Sequence, residues 1–153
     1  MLTNYIQGLS AESKVIQYLI SQNYYIIAQR YRTKYGELDI IAIDRNSGNI
    51  LCIIEVKYRR HSNRTGSINF LEQAEHFILP KQRYRIINAT QVWLIENTHF
   101  LSQFFDVPIQ TNALCIPCIR FDVACLSTTT FHYYANAFQS DASHSDNINY
   151  TYY

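Results

Sequence analysis

The stretch GELDIIAIDRNSGNILCIIEVK, from Gly36 to Lys57, constrains this chain more than any other. Two runs rich in Ile, Leu and Val flank RNSGN, whose Asn, Ser and Gly are turn formers, so the stretch reads as a hairpin of two buried strands. Yet Asp39, Glu55 and Lys57 lie inside it, where burial should exclude charge. Side chains alternate faces along a strand, so Glu55 and Lys57 point the same way. If RNSGN is a five-residue loop with Asp44 opposite Ile50, Asp39 faces Glu55 and Glu37 faces Lys57. A slip of one residue would send Asp39 to the other face. Carboxylates placed directly across a ladder repel, and the arrangement makes sense with a cation between them. Mg²⁺ is suited to such a place, because it takes hard oxygen ligands from one or two carboxylates, water and phosphates. Lys57, one pleat further on, would then stabilise negative charge at a phosphoryl centre, and the three groups together suit phosphodiester hydrolysis. The plainer alternative is a same-face Glu55–Lys57 ion pair at a sheet margin, with Asp39 merely near a turn.

Around this hairpin the pattern is mixed. Ile6, Leu9, Val15, Ile16 and Leu19 form a helical stripe, predicting an amphipathic helix over residues 4–21 with Asn4 as its N-cap. Glu12 falls between Leu9 and Ile16 on that stripe, where a buried carboxylate would need a partner or a metal. If the helix instead begins near Ser10, Glu12 is an exposed first-turn acid favoured by the helix dipole; spacing alone leaves both open. NYYIIAQRYR predicts a strand rich in Tyr and Ile, which with the two strands of the hairpin makes an antiparallel meander. Pro80 precedes KQRYRIINATQVWLIEN, in which Ile86, Ile87, Thr90, Trp93 and Leu94 share one helical face. LCIPCIRFDVACLS and FHYYANAF read as late strands. The expected product is one α/β domain over residues 1–138, a central sheet flanked by helices. The polar stretch 139–153 is expected to be a disordered tail.

Composition narrows the class. A chain of 153 residues with 48% hydrophobic content can build a packed core. No apolar run approaches the ~18 residues needed to span a bilayer, and MLTNYIQGLSAESK lacks the pattern of a secretory signal; a cytoplasmic protein without a membrane partner is the expectation. The net charge of +1 hides local asymmetry: ten of the thirteen Lys and Arg residues lie in RYRTK, KYRRHSNR and KQRYR. These clusters suit a basic face for nucleic acid, or are simply solvated loop and helix faces. Tyr31, Tyr58 and Tyr84 interleave with those cations as bases stacking on a protein would require, though strand propensity explains them too. Cys115 and Cys118 form C-x-x-C without the second pair a zinc site needs, so Cys52, Cys115, Cys118 and Cys125 read as incidental. The five histidines show no metal-binding spacing. With only four glycines, a nucleotide-triphosphate fold is disfavoured. Arg120 and Asp122, two apart on one strand face, read most simply as a structural ion pair.

GLSAE (Gly8 to Glu12), GELDIIA (Gly36 to Ala42), IIEVKYR (Ile53 to Arg59), KQRYR (Lys81 to Arg85), IRFDVA (Ile119 to Ala124) and NAF (Asn136 to Phe138), in this order, resemble the YraN-like family. That family is uncharacterised. The pattern D…(E/D)-x-K also resembles the PD-(D/E)xK, or restriction-endonuclease-like, nuclease superfamily, and within it the Holliday-junction resolvases. The resemblance implies a four-stranded mixed sheet flanked by helices. It implies Asp39 and Glu55 as ligands of Mg²⁺ or Mn²⁺, Glu12 as the first-helix acid completing that site, and Lys57 as the catalytic lysine. Arg59, Arg60, Arg64, Lys81, Arg83 and Arg85 are the candidates to hold a nucleic-acid backbone. DNA, branched DNA in particular, is the expected substrate, RNA the less favoured one, and resolvase-like nucleases often pair, which raises a homodimer. The rival expectations are a nucleic-acid-binding module on the same fold that does not cut, and a protein-interaction domain whose acidic cluster is only structural.

Overall fold

The computed structural model describes residues 2–58, 78–105 and 118–139. Helix α1 (Leu2–Ser21) is followed by strands β1 (Tyr24–Thr33), β2 (Gly36–Asp44) and β3 (Ile50–Tyr58), helices α2 (Pro80–Glu96) and α3 (Thr98–Leu101), and strands β4 (Ile119–Leu126) and β5 (Phe131–Phe138). The fold is α/β, a single mixed sheet of order β1-β2-β3-β4-β5 flanked by helices, consistent with a restriction-endonuclease-like core. Among the described residues the sheet has five strands where the family resemblance implied four. The N-terminal meander is antiparallel as expected. β4 then runs parallel to β3. A parallel neighbour cannot be reached by a tight turn, and the connection here carries α2 and α3.

Each sheet face has its own core. Ala11, Val15 and Leu19 of α1 bury against Ile40, Ala42, Cys52, Ile54 and Ala124. On the other face, Ile86, Ala89, Trp93 and Leu94 of α2 bury against Ile41, Leu51, Ile53 and Phe121. A sheet covered on both faces explains why the central strands read as near-continuous apolar runs. Pro80 sits in the first turn of α2, where its missing N–H costs nothing. The first helix begins earlier than its periodicity predicted, at Leu2, so Asn4 lies inside it and is not its cap. Glu12 is therefore mid-helix and its side chain only 16% exposed, which removes the first-turn reading.

The hairpin of β2 and β3 has the expected register: Asp44 pairs with Ile50, and pairing runs to Ile40 opposite Ile54. The ladder recorded between the strands ends there, one step short of Asp39 and Glu55. The cause lies in the pleat. Leu38 packs in the α2-side core and Ile40 in the α1-side core, although residues two apart on a regular strand share a face. On β1 the pairs Gln29↔Ile40 and Tyr31↔Leu38 bracket Arg30, which faces Asp39 and takes a left-handed backbone, φ +51°. Such a conformation costs a non-glycine residue about 1–3 kcal/mol and tends to occur at functional sites. The regular sheet thus breaks at Asp39. The expected pairing of strand charges changes accordingly: Glu37 does not face Lys57 but accepts from Arg32 Nε at 2.8 Å and from Arg30 Nε at 2.9 Å.

Candidate active site

At this break a cleft of about 140 Å³ opens between the sheet and α2. It is walled by Gly36, Glu37 and Asp39 of β2, Glu55 of β3, and Gln82 and Arg85 of α2. Asp39, freed from the ladder, accepts the backbone N–H of Val56 at 2.8 Å. Glu55 Oε1 accepts from Lys57 Nζ at 2.8 Å and from Gln82 Nε2 at 2.7 Å. Lys57 therefore does share a face with Glu55, as a strand period of two requires. Glu12 approaches from α1 and meets Arg30 Nε at 3.9 Å.

The electrostatics of this group are unbalanced. Burial, and then the neighbouring charge of Glu55, push the Asp39 carboxyl from its ordinary 3.8 up to about 7, against the opposing Val56 N–H; Glu12 adds to the rise. Burial also raises Glu12; Arg30 opposes, while Glu37 and Glu55 reinforce it. Three acids from three elements thus feel one another across a partly dry space, where repulsion is stronger than in water. An acid shifted by burial and a specific charged neighbour, set in a cleft as Asp39 is, is a candidate functional residue.

The donors here are oxygen atoms, which fit a hard divalent cation. Among the described residues no group of three His, Cys, Asp or Glu side chains forms a ready cage for a metal. What fits is an open site on Asp39 and Glu55, with remaining positions for water and phosphate, the arrangement Mg²⁺ commonly accepts. Glu12 acts on Asp39 through its charge.

Of the basic candidates, Lys81 and Arg85 are exposed on α2. Arg85 also donates from Nε to Tyr35 O at 3.2 Å, tying the β1–β2 turn to the helix. Arg83 is half-buried; its Nε donates to Ile78 O at 3.1 Å and its guanidinium lies 5.7 Å from the Phe138 ring centre. Arg59, Arg60 and Arg64 lie outside the described residues, as do Cys115 and the tail 140–153. Two participants escaped the sequence reading, Gln82 and Arg30. Gln82 is a polar residue two positions after Pro80 at the start of an amphipathic helix, and nothing in the local sequence marks its contact with Glu55. Arg30 was read only as one of a basic cluster; its left-handed backbone has no mark in the local sequence.

The fold and cleft define an α/β protein with an acidic site at a break between two central strands. The chain belongs to the uncharacterised protein family UPF0102, whose model matches residues 11–126; this is the YraN-like family. A UPF0102 protein of Rhodopseudomonas palustris (strain BisB18) is 38% identical over 110 residues, covering 70% of this chain and 73% of that protein. One from Nitrobacter winogradskyi is 44% identical over 88 residues, 58% of this chain and 64% of its own length. Another, from Bradyrhizobium diazoefficiens, is 41% identical over 87 residues, 57% of this chain and 56% of its own length. The matched region of the family model includes Glu12, Asp39, Glu55, Lys57 and Gln82, and stops before β5. No helix among the described residues is long and apolar enough to cross a membrane.

Proposed function

We propose that this protein is a metal-dependent endonuclease of the PD-(D/E)xK type, hydrolysing phosphodiester bonds in DNA, branched DNA being the favoured substrate. One observation carries the reading: Asp39 and Glu55 wall one cleft at a break in the sheet, close enough that Glu55 raises Asp39. That repulsion has a use if a cation is to be held. Asp39 and Glu55 would hold Mg²⁺ or Mn²⁺, with Glu12 adding negative potential behind them. The ion, when bound, would supply Lewis-acid stabilisation of charge at the scissile phosphate.

The chain's own groups account for the rest. Lys57 Nζ, now on Glu55, is within one side chain of the cleft and can turn its charge to a phosphoryl oxygen. Gln82 holds Glu55 from the helix side and can orient the attacking water. Water attacks phosphorus in line, a new P–O bond forms and the P–O3′ bond breaks; the attacking water gives up a proton to solvent, and the departing 3′-oxygen takes one from solvent. Lys81 and Arg85 would contact the backbone, giving salt-dependent binding that is largely blind to sequence.

The test is cleavage of a fluorescent four-way DNA junction, a duplex and a single strand in Mg²⁺ and in Mn²⁺. Wild type should cut at least one of them; Asp39→Ala and Lys57→Ala should abolish cleavage while circular dichroism stays native. A double mutant cutting at the wild-type rate would refute the assignment. The Lys57–Glu55 ion pair also favours a second reading, a binding module in which Lys57 neutralises Glu55 for good. Junction binding with no metal-stimulated cleavage would select that reading.

A further inference from the structure

We infer that Tyr35 is a stacking residue that selects DNA carrying an unpaired base beside the cleft. This rests on the nuclease reading and names what its substrate must present. Thr33 pairs with Gly36, so Lys34 and Tyr35 alone form the tip of the β1–β2 hairpin. Hairpin tips of two residues favour Gly, Asn and Asp, and bury little. Here the tip carries an aromatic ring 39% exposed. A residue at a two-residue tip that keeps this much of its surface in solvent is open to a ligand.

The tip is held against the cleft. Tyr35 O accepts from Arg85 Nε at 3.2 Å, and the next residue, Gly36, is a wall of the cleft. A Cβ at Gly36 would stand 2.9 Å from the Arg85 guanidinium, and its φ of +145° suits glycine, so the turn sits close on the helix. Lys34 Nζ lies 5.2 Å from the centre of the Tyr35 ring. That cation lies over the ring and is within reach of a phosphate that flanks a base stacked there. Lys81, Tyr84 and Arg85 are exposed on the adjoining helix, Tyr84 to 58%. A ring beside a cation, with more cations around it, is the chemistry that holds an unstacked base and its backbone. A base inside an intact duplex does not present its face, so the ring can act only on an unpaired one. An apolar protein segment would find little here, because the ring's neighbours are charged.

Binding separates this inference from catalysis. The full chain is titrated, in EDTA at low salt, with a DNA duplex and with the same duplex carrying one unpaired 2-aminopurine. Wild type should bind the bulged duplex at least about tenfold more tightly and quench its fluorescence on stacking. Tyr35→Ala should weaken bulge binding about 5- to 100-fold and leave duplex binding unchanged. Tyr35→Trp should retain the preference, which guards against a folding defect. Lys81→Ala should weaken both DNAs alike and reduce the salt slope by about one. Equal binding of the two DNAs by wild type, or no effect of Tyr35→Ala on the bulge, overturns the role of Tyr35 and leaves the nuclease reading standing. Failure to bind either DNA overturns both.

Discussion

Strand β2 carries two aspartates five residues apart, and the protein treats them in opposite ways. Asp44 accepts Arg120 Nη1 at 3.0 Å, Ser47 Oγ at 3.0 Å and the Asn46 N–H at 3.0 Å. Burial alone would raise its carboxyl, but those donors outweigh burial and lower it. Arg120 in turn grips the fully buried Asp122 through Nε at 2.9 Å, and Asp122 also accepts Tyr133 Oη at 2.5 Å and the Asn136 N–H at 2.8 Å. Asp39, at the other end of the strand, has the Val56 N–H and two acidic neighbours, with the Lys57 charge opposing them more weakly. A buried charge network is tolerable only when every member is paired. The Asp44–Arg120–Asp122 end meets that condition with the chain's own groups. At the other end Glu55 is paired with Lys57 and Gln82, but Asp39 is held by the Val56 N–H against the charge of Glu55 and Glu12.

If the contrast is right, the largest effect belongs to the saturated end. Asp122→Ala leaves Arg120 without its main buried partner and strips acceptors from Tyr133 and Asn136, so it should cost about 3–5 kcal/mol in urea denaturation. A loss under about 1 kcal/mol would break the comparison at once. At the open end the sign reverses. Asp39→Asn keeps an acceptor for Val56 and removes the repulsion, so it should stabilise the metal-free protein at pH 8 by about 1–3 kcal/mol.

The pH dependence follows from the same group. With a folded value of about 7 against an ordinary 3.8, Asp39 binds more protons folded than unfolded across that window. Its contribution to stability therefore falls as pH rises from about 4 through 7. Asp39→Asn should flatten that part of a melting-temperature profile. Mg²⁺ at ten times its Kd should restore about 1.4 kcal/mol to wild type and nothing to Asp39→Asn; equal gains in both would place the ion elsewhere. The smallest effect is at Gln82. Removing its bond to Glu55 should cost about 1 kcal/mol or less in stability while weakening Mg²⁺ several-fold, read by calorimetry.

Local pattern made much of the fold legible. Strand and helix periods identified the meander, α2 and the late strands, and the turn residues of RNSGN set the pairing of Asp44 with Ile50. The same period put Lys57 beside Glu55. The pairing of Arg120 with Asp122 was legible for the same reason, two residues apart on one face. By contrast, Asp44 was legible only as a residue near a turn, and its place in that network depends on a contact 76 residues away in sequence.

What the sequence alone determined are the features written in short spacings: which segments form strands and helices, where the hairpin turns, and which charges share a face. Tertiary structure decided the rest. It ended the ladder one step before Asp39, inverted the pleat across from Arg30, and brought Gln82 onto Glu55 and Glu12 within range of Asp39. The reason is physical: side-chain direction along a regular strand is fixed by the backbone period, whereas a break in that strand is a compromise among two cores and two helices that meet only when the chain is folded.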